Sequence, residues 1–201
     1  MTPGVDAWQP YAPRELADRL AGLPAPWAVA GGWAVDLFLG RITRAHHDLE
    51  ITLPAATFGL LTRLFPGWEF HVPRSGTLTP ADPVSLAADF QTWALDPVTR
   101  TWRFDVFREP HDGDTWICRR DPRIRRPYAE VVLRTPDGIP FVAPEVALLF
   151  KAKGPRDTDE HDLAAVLPEL GPARRDWLAT ALAVAHPGHP WRDRLAHSAE
   201  R

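Results

Sequence analysis

GGWAVDLFLGRITRAHHDLEITLP, residues 31–54, follows a short apolar stretch at 27–30 and ends in two carboxylates one residue apart, Asp48 and Glu50. The apolar stretch reads as a strand, Gly31-Gly32 as a turn, and 33–39 as a short helix closed by Gly40. Residues 47–53 alternate and read as a second strand. Residues two apart on a strand share a face, so Asp48 and Glu50 are expected to crowd each other. Two anions that close either raise each other's pKa or recruit a cation. Hard carboxylate oxygens suit Mg²⁺, which binds one or two carboxylates together with substrate phosphates. A D-x-E pair alone fits a solvent-facing strand edge as readily. The glycines add a second feature, because backbone N–H groups between a strand and a helix cradle phosphate and a missing side chain lets it approach.

Around this stretch lies an ordinary globular composition. The chain has 201 residues, 45% hydrophobic and 24% charged, enough for one large domain or two small ones. A net charge of -3 gives no general basic footprint, so a nucleic-acid partner is not expected. The single cysteine, Cys118, excludes an intramolecular disulfide and fits a reducing compartment. The opening MTPGVDAWQPYAPRE has no apolar core and no apolar run reaches membrane-spanning length, so a cytoplasmic location is expected. Lys151 and Lys153 are the only lysines in an arginine-rich chain, which singles them out.

Further elements follow from periodicity and turn chemistry. Helices are expected at 13–20 and from Pro54, where Phe58, Leu61 and Phe65 share a side. Strands are expected at 68–72, 115–118 and 130–133, with a hairpin of 90–95 and 101–107 around Asp96-Pro97 and a tight turn at Asp137-Gly138. From Pro144 the pattern becomes helical: 144–153, about 159–167, and 172–184, followed by a loop-like tail at 186–201. The division expected is an α/β portion over 1–143 and a helical portion over 144–201 packed on it. Residues 74–143 carry the weakest signal.

The order G-G-W-A-x-D…G-R-x-T-R-x-H-x-D-x-E is far more specific than its parts. GGWAVDLFLGRITRAHHDLEI resembles the signature of the nucleotidyltransferase superfamily, of the DNA polymerase β-like fold. It is most similar to the small antibiotic branch, the aminoglycoside 2''-adenylyltransferases and lincosamide nucleotidyltransferases. PEVALLFKAKGPRDTDEHDL carries a weaker likeness to a C-terminal motif of that superfamily. The resemblance implies an α+β fold: a mixed sheet with flanking helices, then a helical portion. It implies metal carboxylates at Asp48 and Glu50, two Mg²⁺ ions, ATP or another NTP as donor, and a small-molecule hydroxyl as acceptor. The second metal carboxylate is often Asp in the superfamily, so Glu50 is a departure that reads as a longer reach. A third carboxylate is implied on a neighbouring strand as ligand and general base. Asp105 in WRFDVFRE fits, because an acid inside an apolar strand is costly unless paired or metal-bound.

Among the other residues, Arg44 and Arg41 lie between helix and carboxylates, where they would pair with the acids, meet a triphosphate, or simply form a solvated turn. Gly31, Gly32, Arg44, Lys151 and Lys153 make up the expected nucleotide contacts. Lysines at a helix C-terminus also complement its dipole without any ligand. Asp36 reads as a structural ion pair or cap, and His46 and His47 as structural or as supports behind the metal carboxylates. Trp33, Trp93, Trp102 and Trp116 suit core packing or ring stacking. Asp157, Asp159, Glu160 and Asp162 offer either an acidic lip to a cationic aminoglycoside or an ordinary helix start. Two other activities share these features: a toxin-type nucleotidyltransferase acting on tRNA or protein, and a non-catalytic nucleotide-binding module.

Overall fold

The computed structural model describes residues 2–74 and 76–197. The elements are α1 (Pro13–Arg19), β1 (Ala28–Val29), α2 (Gly31–Leu39), β2 (Glu50–Pro54), α3 (Phe58–Arg63), β3 (Glu69–Arg74), β4 (Thr77–Pro80) and α4 (Pro83–Ala88). There follow β5 (Gln91–Leu95), β6 (Trp102–Glu109), β7 (His111–Asp112), β8 (Thr115–Ile117), β9 (Arg125–Pro127), α5 (Tyr128–Val131), β10 (Val132–Arg134) and β11 (Pro140–Val142). The chain closes with α6 (Pro144–Lys151), α7 (Asp157–Val166), α8 (Pro172–Ala185) and α9 (Trp191–His197). This is the α+β fold with a mixed sheet and flanking helices that the sequence implied.

Eight strands form one sheet in the order β10-β11-β1-β2-β6-β5-β3-β4, and β7, β8 and β9 form a small second sheet. β2 runs parallel to β6 with Glu50 opposite Asp105, and β5 returns antiparallel with Trp93 opposite Asp105. Period-two alternation then sorts the centre of the sheet into two faces. Ile51, Leu53, Ala94, Phe104 and Val106 point into a buried cluster with Tyr11, Leu16, Leu61 and Phe65. Glu50, Thr52, Asp105, Phe107 and Glu109 occupy the other face. The same buried cluster continues through Leu148 of α6, Leu163 of α7, Leu178 of α8 and Trp191 of α9, so residues on both sides of position 143 share one core.

Several sequence expectations shift. The strand expected at 47–53 starts only at Glu50, and Asp48 lies in the preceding bend. The cause is Asp36, which accepts from Thr43 N–H (3.0 Å), Thr43 Oγ1 (2.6 Å) and His46 Nε2 (2.6 Å) and so holds the intervening segment as a loop. Pro54 ends β2 rather than opening a helix; a 3-10 turn at Ala55–Thr57 intervenes before α3. The strand expected at 130–133 is first a helical turn, because Tyr128 and Val131, three apart, are both buried. Helix α6 stops at Lys151, leaving Lys153 beyond it, and it is buried nearly all round rather than on one stripe. The tail is not all loop: Trp191 is buried, donates to Glu160 Oε1 (2.8 Å), and anchors α9. The rest of that tail, 198–201, lies outside the described residues. In the weakly marked middle, β4, α4, β7, β9 and β11 had no expected counterpart.

Candidate active site

The site begins where β1 hands over to α2. Gly31 has φ +62°, and a Cβ there would lie 1.4 Å from Glu50 Oε2. A Cβ on Gly32 would lie 2.1 Å from Arg44 Nη2 and 2.8 Å from His46 Nδ1. The two glycines are therefore required first by their own neighbours, a carboxylate and a guanidinium. They form the first turn of α2 itself, rather than a turn before it.

Asp36, His46 and Trp33 build the wall behind the carboxylates. His46 Nε2 donates to the buried Asp36, and its ring stacks on Trp33 at 4.3 Å. Trp33 Nε1 donates to the Asp48 carbonyl at 3.1 Å, which fixes the backbone just before Glu50. The structural reading of Asp36 and His46 is the one the contacts bear out.

Glu50 and Asp105 face each other across the β2–β6 ladder. Asp105 is only 1% exposed. Its Oδ2 accepts from Gln91 Nε2 at 2.5 Å, and its Oδ1 is buried without a partner. Burial, and after it the Glu50 charge, push the Asp105 carboxyl well above the usual range; the Gln91 bond opposes this and Asp48 adds to it. Burial and then Asp48 raise Glu50 to about 7, against the pull of Lys151, Arg119 and Arg156. A nearby cation would oppose both shifts. An unpaired buried oxygen beside two further carboxylates is a donor set that fits a hard divalent ion. As they stand, the three do not close on one point: among the described residues no three His, Cys, Asp or Glu side chains are arranged as a complete metal cage.

Beside these acids a cavity of about 480 Å³ opens between the sheet and the helices that follow it. Its sheet side includes Gly31, Glu50, Thr52, Gln91, Phe107 and Glu109, and its helical side includes Val146, Phe150, Lys151, Lys153 and Arg156. Trp116, Arg119 and Arg120 complete the wall. Five cationic side chains (Arg119, Arg120, Lys151, Lys153, Arg156) face three carboxylates (Glu50, Glu109, Asp159). Of the sequence-expected residues, Gly31, Glu50, Lys151 and Lys153 line this cavity. Asp105 adjoins it through Gln91 and Glu50, whereas Gly32, Arg44 and Asp48 are not part of its wall.

Arg44 has a different ion-pair partner from the expected one. It does not pair with Asp48 or Glu50. Its Nε and Nη2 grip Asp162 at 2.8 and 2.9 Å, and Nη1 reaches the Ala45 carbonyl. Lys151 also binds Asp162 (2.9 Å) and reaches Asp159 (2.9 Å). Burial works to raise Asp159, but Arg156 and Lys151 outweigh it and hold that carboxyl at about 2. Glu160 is engaged by Trp191 and Arg194. Three of the four residues of the expected acidic lip are thus committed to internal partners; Asp157 is in the first turn of α7. Sequence reasoning missed Gln91, Glu109, Arg119 and Arg120. The alternation of WRFDVFRE does carry one signal, since Glu109 falls on the same face as Asp105.

The family model described as aminoglycoside-2''-adenylyltransferase matches residues 14–69. A 2''-aminoglycoside nucleotidyltransferase of Escherichia coli is 47% identical over 36 residues, 18% of this chain. That aligned stretch spans only about a fifth (20%) of the curated relative's length. Among solved structures, the antibiotic-resistance factor ANT(2'')-Ia superposes with a TM-score of 0.56 at 17% identity, covering 93% of this chain and 92% of that one. A complex of ANT(2'')-Ia with adenylyl-2''-tobramycin gives 0.56 at 13% identity over 85% and 94% of the two chains. The lincosamide antibiotic adenylyltransferase LnuA, with lincomycin bound, gives 0.53 at 18% identity over 76% and 92%. The chain thus shares the fold of these solved structures along most of its length and, over residues 14–69, matches the aminoglycoside-2''-adenylyltransferase family model.

Proposed function

We propose that this chain is an enzyme that transfers a nucleoside monophosphate from an NTP, ATP foremost, to a hydroxyl of an aminoglycoside or lincosamide antibiotic. The observation that carries the reading is the Glu50–Asp105 pair on adjacent strands, with Asp105 Oδ1 buried and unpartnered, beside a cavity richer in cations than in anions. The likeness to ANT(2'')-Ia and LnuA supports it.

Asp48, Glu50 and Asp105 would hold Mg²⁺, which when bound supplies Lewis acidity to the acceptor oxygen and neutralises the leaving pyrophosphate. The chain's own residues do the rest. Asp105 takes the proton from the acceptor hydroxyl. The freed oxygen attacks the α-phosphorus as the bond to pyrophosphate breaks. Gly31 makes room at the start of α2 for the Glu50 carboxylate, one of the three that would hold the metal. Lys153, exposed beyond the end of α6, and Arg156 provide point charges for the triphosphate. Lys151 joins them from its seat between Asp159 and Asp162. Catalysis of this type is chiefly positioning and charge stabilisation.

The test is mass spectrometry of purified protein with MgCl₂, the four NTPs and a panel of aminoglycosides and lincosamides, beside an Asp105→Asn control. A nucleotidyl adduct on a drug, absent from the control, is the expected result. No adduct on any drug overturns the antibiotic assignment.

A further inference from the structure

Glu109 has no part in the transfer step, yet it lies on the cavity wall. It is 2% exposed. One oxygen, Oε1, is held by Arg119 and by Thr52 Oγ1 (3.3 Å), while Oε2 is buried with no partner. It sits four residues beyond Asp105 on the same face of β6, about 13 Å along the strand. Phe107, Trp116 and Phe150, all lining the cavity, put apolar ring surface near it. Arg119 lies over both phenyl rings, 4.4 Å from Phe107 and 4.0 Å from Phe150. An unpaired acceptor in an aromatic-lined recess is costly unless a ligand supplies the donor. The cationic excess of the same cavity suits a polyanion and disfavours a polycationic drug.

We propose that Glu109 is the base-reading residue of the donor nucleotide site, its free Oε2 accepting a hydrogen bond from an exocyclic amino group of the nucleobase. The inference rests on the reading of the cavity as the NTP site. An amino group projects beyond the ring edge and brings no lone pair toward the carboxylate. The ring N–H of uracil or hypoxanthine is flanked by a keto oxygen, which a carboxylate repels. Arg119 positions Glu109 by holding Oε1, so that Oε2 is left for the base. Burial pushes the Glu109 carboxyl above its ordinary range, with Arg119 opposing the rise, and an amino donor would favour the ionised form further.

Two matched pairs of nucleotides test this by calorimetric titration of the purified protein with MgCl₂ and no acceptor. ATP is compared with purine riboside triphosphate, and GTP with ITP; within each pair only an amino group differs. In at least one pair the amino-bearing member is expected to bind about tenfold more tightly or better, the effect of a hydrogen bond to a charged group. Glu109→Gln is expected to shrink that difference to within about twofold, and Arg119→Lys serves as a second variant should the first fail to fold. Equal affinities within both pairs overturn the role of Glu109 while leaving the NTP site standing. No binding of any nucleotide overturns the NTP site and this inference together. An amino preference that Glu109→Gln leaves unchanged also overturns the inference.

Discussion

At Gly31 the backbone sits at φ +62°, and any Cβ would strike the Glu50 carboxylate. Gly31→Ala is therefore expected to destabilise the fold by about 1–3 kcal/mol, from left-handed strain plus the displaced carboxylate, measured by urea unfolding. Asp105 has the opposite character. Its buried charge is opposed by Glu50 and Asp48, so Asp105→Asn is expected to keep or raise the melting temperature of the metal-free protein. The same change is expected to cut nucleotidyl transfer by about a thousandfold or more, on the scale of losing a general base together with a metal ligand. A variant that melts well below the parent would show Asp105 to be a structural acid instead. Both residues were legible in the sequence, Gly31 from its place between strand and helix, Asp105 from its apolar flanks. Their neighbour Gln91, which caps Asp105, was not, because a glutamine in a strand has no distinguishing pattern until its partner is known.

Among the elements, α7 carries the ion pairs that tie the helical segment to the loop before β2. Asp162, fully buried, is gripped by Arg44 from that loop and by Lys151 at the end of α6. Asp162→Ala leaves two cations without their shared partner, and a loss of about 3 kcal/mol or more is expected in denaturant titration. It should also weaken nucleotide binding by freeing Lys151 from its seat, which a titration with ATP and MgCl₂ would read. The motif around Lys153, Arg156, Asp159 and Asp162 was visible as a pattern, and its acids were weighed as a drug-facing lip. The structure buries Asp159 and Asp162 in ion pairs, while Asp157 stays exposed and Glu160 half-buried. Sequence spacing places acids on a helix turn but does not say which neighbour brings the cation, and here the cation comes from position 44.

For the molecule as a whole, the clustered acids tie stability to pH and to metal. Glu50 binds its proton more tightly folded, with a pKa of about 7 against 4.5 for an unperturbed glutamate. Its contribution to stability is present below the unfolded value and is lost as pH rises through about 7, and Asp105 moves in the same direction. The melting temperature of the metal-free protein is therefore expected to fall across that window. Mg²⁺ should restore it most at the alkaline end, where the ligands are deprotonated. A Glu50→Gln variant should flatten the profile, and an unchanged profile would contradict the clustering. Because one buried cluster runs from Leu16 to Trp191, thermal unfolding is expected as a single transition, checked by calorimetric against van't Hoff enthalpy. No described helix is long and apolar enough to cross a membrane.

The sequence by itself determined the local order of strand, glycines, helix, loop and carboxylates, because turn chemistry and periodicity act over a few residues. It also placed Asp105 inside an apolar strand. Only the tertiary structure decided that β6 lies parallel and adjacent to β2, which puts Asp105 opposite Glu50, 55 positions away along the chain. It alone decided that Arg44 answers Asp162, and that Glu109, Arg119 and Phe150 meet around one cavity. These are long-range pairings. They are set by which faces bury together, and no spacing along the chain records that.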